Sequence, residues 1–164
     1  MEHRELSLPL TVVSRVDVAR LLRELNALND FLADAKVRQP GTPMRLPKLT
    51  RQLDDIAREN QLNLLEEGPR KELYAKLHVA LNKAPGLHIS FASEPSPKAL
   101  HQILLWLRRN VHPQVLVQVG LQPTIAAGCV IRSPNLLFDM SMRQYLVKQE
   151  PYLTQLIKEA VRAK

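Results

Sequence analysis

The sequence predicts an α+β fold, in which N-terminal helices precede a small mixed four-stranded sheet that packs with helices. Three observations support this prediction. The first half of the chain repeats apolar residues at helical spacing. Residues 87–138 then hold four short apolar or β-branched runs, separated by Gly, Pro and Asn. An apolar helical pattern stands between the first two runs, as in a parallel crossover. The expected element order is α-α-α-β-α-β-β-β-α-α.

Three helices and a linker are expected before the sheet. The helices run from Ser14 to about Val37, from about Lys48 or Thr50 to Asn60, and from Pro69 to about Asn82. The segment Gln39 to Pro47 holds three prolines and a glycine, which indicates a linker. We therefore divide the chain into residues 1–47, an N-terminal helix with a Pro-rich linker, and residues 48–164, a C-terminal domain.

The second half is expected to alternate strands with helices. Leu87–Ala92 and Val115–Val119 should pair in parallel, joined by a helix over Pro97–Asn110 that is buried on most sides. Cys129–Ile131 and Leu136–Phe138 should form a hairpin around the turn residues Ser133, Pro134 and Asn135. A short helix from Ser141, capped by Asp139 or Ser141, and a separate last helix beyond Pro151 complete the prediction.

Charge and composition limit the classes of function. The net charge of +7 raises nucleic acid, an anionic membrane surface or an acidic partner as possibilities. The basic residues stand singly or in pairs beside acids, without the aromatic interleaving of a single-strand binding platform. No stretch approaches the roughly 18 apolar residues of a membrane span, and no signal peptide is recognisable. We therefore expect a soluble, cytoplasmic protein without nucleic acid and without direct membrane insertion.

The sequence also lacks a pattern for catalysis. None of the five glycines forms a phosphate loop, and no two histidines have the spacing of metal ligands on a helix. The single cysteine, Cys129, excludes an intrachain disulfide and a cysteine-based zinc site. Adjacent acids point about 100° apart on a helix, which makes them poor catalytic pairs. We expect no catalytic, cofactor or metal site, and hence not an enzyme.

One stretch, residues 113–146, carries a resemblance to a known family. A small residue and Gly are followed by a strand that ends in Arg, a short turn, a second strand and the pattern Asp-x-Ser-x-Arg-x-x-Leu. The residues concerned are Ala127, Gly128, Arg132, Asp139, Ser141, Arg143 and Leu146. In this order they resemble the C-terminal domain of the F-type ATP synthase delta subunit, the oligomycin-sensitivity-conferring protein family. Two departures are Pro134 and Met140, where the family usually or often has Gly.

The resemblance implies a non-catalytic connector of the peripheral stalk. In that family the subunit joins the catalytic head, through its alpha subunits, to membrane-anchored b-type helices. The protein would then lie on the inner face of the cell membrane, held there by the complex, in a machine that couples ATP synthesis to proton transport. The family's N-terminal bundle of about six helices is shortened here to about fifty residues, so attachment to the head should differ.

A groove for a b-subunit helix is the expected binding surface. Its candidate residues are Trp106, Tyr145, Tyr152 and Leu156, with a basic rim of Arg143, Lys148 and Lys158. The alternative is that these residues complete the domain's own core. Two other functions remain open: an E-type stalk subunit of a V/A-type rotary ATPase, and a small basic nucleic-acid-binding module.

Overall fold

The structure, a computed structural model, describes residues 6–37 and 47–162, and only the backbone of residues 36, 37, 144 and 162. The elements are α1 (Arg15–Val37), α2 (Arg51–Glu59), α3 (Glu67–Lys83), β1 (Gly86–Phe91), α4 (Pro97–Asn110), β2 (Leu116–Leu121), a 3-10 turn (Pro123–Ile125), β3 (Gly128–Arg132), β4 (Leu137–Ser141) and α5 (Arg143–Arg162). The predicted α+β class is confirmed. The predicted linker, except Pro47, lies outside the described residues, and the boundary at residue 47 stays a prediction.

The chain divides into two compact units. The first comprises Met1–Gly86 and Lys98–Val117, and the second comprises Leu87–Pro97 and Gln118–Lys164. The first unit therefore contains helices α1 to α4, whereas the second contains most of the sheet and α5.

Helix packing forms the core of the first unit. Helix α1 lies against α3 and α2 and buries one apolar stripe, while α2 and α3 each bury one face toward it. The fully buried side chains of these helices include Val18, Leu21, Leu53, Ile56, Leu73 and Leu77. The periodicity that predicted these helices thus also identified the residues that hold them together.

Local capping explains where the helices begin. Ahead of α1, the Asp17 carboxylate accepts the Ser14 N–H at 2.9 Å, and the Ser14 hydroxyl accepts the Asp17 N–H at 3.3 Å. This reciprocal arrangement is the acidic form of a capping box. At α2, the Thr50 hydroxyl accepts the Leu53 N–H at 3.4 Å. Both hydroxyls satisfy backbone donors that the first turn of a helix leaves free.

The N-terminal segment is part of the first unit's core, although its sequence predicted little. Leu6, Leu8 and Val12 are buried. The Arg108 guanidinium on α4 holds the segment by donating to the carbonyls of Leu8, Pro9 and Val12 at 2.5–2.9 Å. Burial lowers the Arg108 pKa from its ordinary value, and the nearby Glu59 charge opposes that shift.

The sheet has the strand order β2-β1-β3-β4. Strand β3 pairs antiparallel with β1, with Ile89 opposite Ile131, and antiparallel with β4, with Val130 opposite Asp139. Because the sheet is mixed, the remaining pair, β1 with β2, is parallel, as the crossover through α4 predicted. The predicted hairpin is confirmed as β3–β4.

Three details of the prediction were wrong. Helix α5 runs unbroken through Pro151, so the last two predicted helices are one. Strand β4 continues to Ser141, which leaves Asp139 inside a strand rather than at a helix start. Helix α4 is not buried on most sides, because it buries Leu104 and Leu107 but leaves Trp106 59% exposed.

Candidate partner-binding surface

The Gly128 backbone fixes the start of the hairpin that leads to this surface. Its φ of +90° lies in the region that favours glycine. A Cβ on Gly128 would also collide with the Met140 carbonyl oxygen on β4. Both facts explain physically why glycine stands at position 128, the first residue of β3. The residue before it, Ala127, connects the hairpin to the helix: its carbonyl accepts the Met142 N–H at 2.9 Å, just before α5 begins.

The other residues of the family pattern lie along the hairpin and the first turns of α5. The Asp139 carboxylate accepts the Ser141 N–H at 2.9 Å within β4. The two residues therefore shape the end of the strand, and Asp139 lies within β4 rather than at the head of α5, where it was expected. Arg132 is exposed at the end of β3, and Arg143 and Leu146 are exposed on α5. The pattern thus describes a hairpin-to-helix junction with a structural role.

Helix α5 carries an apolar stripe that faces no other part of the described chain closely enough to be covered. At 100° per residue, six large side chains fall on one face of about 140°. They are Tyr145, Leu146, Tyr152, Leu153, Leu156 and Ile157, with exposed fractions from 43% to 64%. Three predicted groove residues, Tyr145, Tyr152 and Leu156, are therefore brought together on one helix face.

Polar groups stand within and beside the apolar stripe. Gln149 lies near its centre and is the only half-buried residue among the described side chains of α5. By sequence, α5 carries four basic residues and two acidic ones, so its net charge is +2. Of these, Arg143, Lys148 and Lys158 were the predicted rim, and all three are exposed. This combination suits an apolar contact with a partner whose own rim is acidic.

Strand β4 adds a second exposed apolar surface in the same unit. It lies at the edge of the sheet, where one side of its backbone has no neighbouring strand among the described residues. Its residues Leu137, Phe138 and Met140 are each at least half exposed. An exposed apolar edge strand is a site at which another chain can associate. The sequence signal for it was the lack of polar alternation from Leu136 to Phe138, which we had interpreted only as a strand.

The fourth predicted groove residue, Trp106, lies in the first unit. It is exposed on α4, on the opposite side from the buried Leu104 and Leu107. Trp106 and the α5 residues therefore belong to different units of the chain. The candidate surface for a helical partner is the apolar stripe on α5 alone.

The described residues show few of the features from which a metal site or a reactive side chain is recognised. Within residues 6–37 and 47–162, no group of three His, Cys, Asp or Glu side chains is arranged to hold a metal ion. Cys129 is half-buried on β3, and burial raises the pKa of its thiol, which disfavours the reactive thiolate. None of the helices in the described part of the chain has the length and apolar content of a membrane crossing.

In comparisons with known proteins, no protein-family model matches the chain, and no curated protein matches its sequence. The features of the chain that bear on its function are therefore the hairpin-to-helix junction and the exposed surface that follows it.

Proposed function

We propose that the protein is a non-catalytic connector in the peripheral stalk of a proton-translocating F-type ATP synthase. The observation that carries the proposal is the apolar stripe of α5, which is exposed along the whole helix. Such a helix gains most of its stability from packing, so its covering partner is part of its structure. A connector needs a helix-binding surface of this kind and needs no active site.

The partner that fits the apolar stripe is a helix with apolar residues at the same spacing. A b-type stalk helix with such a face would fit the stripe, because helix-on-helix packing matches ridges of one partner with grooves of the other. Full burial of one large apolar side chain is worth about 1.5–3 kcal/mol, before the costs of association are subtracted. The six partly exposed side chains can therefore supply a substantial part of the free energy of binding.

Attachment to the alpha subunits of the catalytic head is the second part of the proposal. The shortened N-terminal part, with helix α1, would serve it in the place of the longer helical bundle of the delta family. In that arrangement the protein is cytoplasmic and peripheral on the inner face of the cell membrane, held there by the complex.

Site-specific photocrosslinking in membranes tests this function. A photoreactive residue replaces Leu153 within the apolar stripe, and a control chain carries it at Val79, an exposed apolar position on α3. Mass spectrometry then identifies the crosslinked partner. We expect the b subunit from position 153 and not from position 79.

Two results would contradict the proposal and favour an alternative. Crosslinks from position 153 to subunits of a V/A-type ATPase would assign the chain to an E-type stalk. Crosslinks to nucleic acid, lost steeply as salt rises, would instead support the basic nucleic-acid-binding module.

A further inference from the structure

We propose that a cleft between α1 and α3 binds one small oxyanion, a carboxylate or a phosphate group, through Arg70. The cleft lies wholly within the first unit and is independent of the stalk proposal. Its volume is about 170 Å³, and its lining residues are Leu25, Asn26, Asn29, Arg70, Lys71 and Tyr74. At ~30 Å³ for each water molecule, this volume is enough for one such group with a few waters.

Arg70 is a buried cation whose partners are neutral. Only 4% of its surface is exposed. One terminal nitrogen donates to the Leu64 carbonyl at 2.9 Å, and the other donates to the Asn29 side-chain oxygen at 3.4 Å. Its Nε is buried and has no hydrogen-bond partner among the described residues. Burying a guanidinium in this way costs free energy unless an anion compensates for the charge.

No carboxylate within the described residues supplies that compensation. None of the described residues that line the cleft is acidic, and none of the ion pairs in that part of the chain includes Arg70. Lys71 pairs with Glu67 at 2.7 Å, but both side chains are more than half exposed, so this pair contributes little. The described lining therefore holds two cationic groups, Arg70 and Lys71, of which only Lys71 is paired with a carboxylate.

The donors around the cleft match an oxyanion better than any other ligand. A guanidinium binds two oxygens of a planar carboxylate or of a phosphate with parallel hydrogen bonds. The Asn26 and Asn29 amides, the Tyr74 hydroxyl and the Lys71 ammonium supply further donor groups to the same space. A metal cation would be repelled by the two positive charges. Whether the oxyanion is free in solution or belongs to an acidic side chain of a partner protein, the chemistry of recognition is the same.

The experiment follows the Arg70 Nε–H signal by NMR in the ¹⁵N-labelled full-length chain. Sodium phosphate and sodium acetate are titrated separately, with sodium chloride holding the ionic strength constant. We expect a saturable shift of this signal, together with a rise in the thermal midpoint, because a ligand that binds only the folded state stabilises it. Tighter binding of phosphate would indicate a free phosphate ligand, and equal or tighter binding of acetate would indicate a partner's carboxylate.

Matched variants separate a site from a general salt effect. Lys71→Gln should weaken binding by roughly two- to five-fold, the range for one partly exposed charge. Lys83→Gln removes an exposed lysine from the last turn of the same helix, outside the cleft, and should leave binding unchanged. Both variants retain Arg70, so neither disturbs the core. Absence of a saturable shift with both anions, or an equal loss in the two variants, would overturn the proposal.

Discussion

At the scale of single residues, glycine is required at one position, in the hairpin, and is optional at another, in helix α3. Gly128 combines a positive φ with a backbone carbonyl in the place where a Cβ would be. Gly68, in the first turn of α3, has open space around it and no positive φ. The two glycines look alike in the sequence, and only the backbone conformation distinguishes them.

Gly128→Ala should therefore lower the free energy of unfolding by about 1–3 kcal/mol, because alanine at this φ is strained and collides with β4. Gly68→Ala is the matched control and should be neutral or should stabilise the protein by up to about 1 kcal/mol, since alanine is the better helix former. Urea denaturation followed by circular dichroism measures both. Equal effects of the two substitutions would contradict this account of the hairpin.

The contacts of Arg108 are of a kind that sequence analysis cannot predict. Its three acceptors are backbone carbonyls of residues 8, 9 and 12, almost a hundred positions away. Because backbone carbonyls occur at every residue, no pattern of side chains predicts such a contact. For the same reason the buried role of Leu6, Leu8 and Val12 could not be predicted from a segment without periodicity.

At the scale of elements, the helices with local start and stop signals were predicted closely. The predicted starts of α1 at Ser14 and of α2 at about Lys48 or Thr50 lie within a few residues of the observed starts, and the range of α4, Pro97–Asn110, agrees with the prediction at both ends. These signals work because they satisfy backbone groups within a few residues of the helix end. The strands were placed to within a few residues, but the length of β4 depends on pairing with β3, which is not a local signal.

Pro151 misled the prediction of α5 because proline usually ends a helix. It lacks the N–H that would reach the Val147 carbonyl, and in α5 that carbonyl is on an exposed part of the helix. Water can then take the place of the missing donor, so the helix continues at a cost rather than stopping. At 100° per residue, Pro151 also faces away from the apolar stripe.

Pro151→Ala should make α5 more stable, because it restores one backbone hydrogen bond and removes a penalty of up to about 3 kcal/mol. We expect slower amide hydrogen exchange for residues around position 151. Lys148→Ala is the control, since lysine is already a good helix former and the exchange should change little. Unchanged exchange in Pro151→Ala would mean that proline does not limit the stability of α5.

At the scale of the whole molecule, the sequence identified the apolar face of α5 but not its environment. Periodicity shows which residues share a face, whereas burial depends on what packs against that face. We had kept open that Tyr145, Tyr152 and Leu156 complete the protein's own core. In the described structure these side chains are exposed, which favours a surface for a partner. The same argument applies to Trp106 in the first unit.

The central claim is that the apolar stripe of α5 binds a b-type helix, and one titration tests it most directly. The labelled full-length chain is titrated with the C-terminal peptide of the b subunit from the same organism. Variants Tyr152→Ser and Leu156→Ser remove apolar contacts from the stripe. Val147→Ser is the matched control, since Val147 is an equally exposed apolar residue on the opposite face of α5.

We expect saturable binding that each stripe variant weakens by roughly ten-fold or more, as truncation of a central interface residue commonly costs over 1 kcal/mol. The control variant should bind as the unmodified chain does, and moderate salt should have little effect. No binding by the unmodified chain, or equal binding by all three variants in folded protein, would contradict the claim.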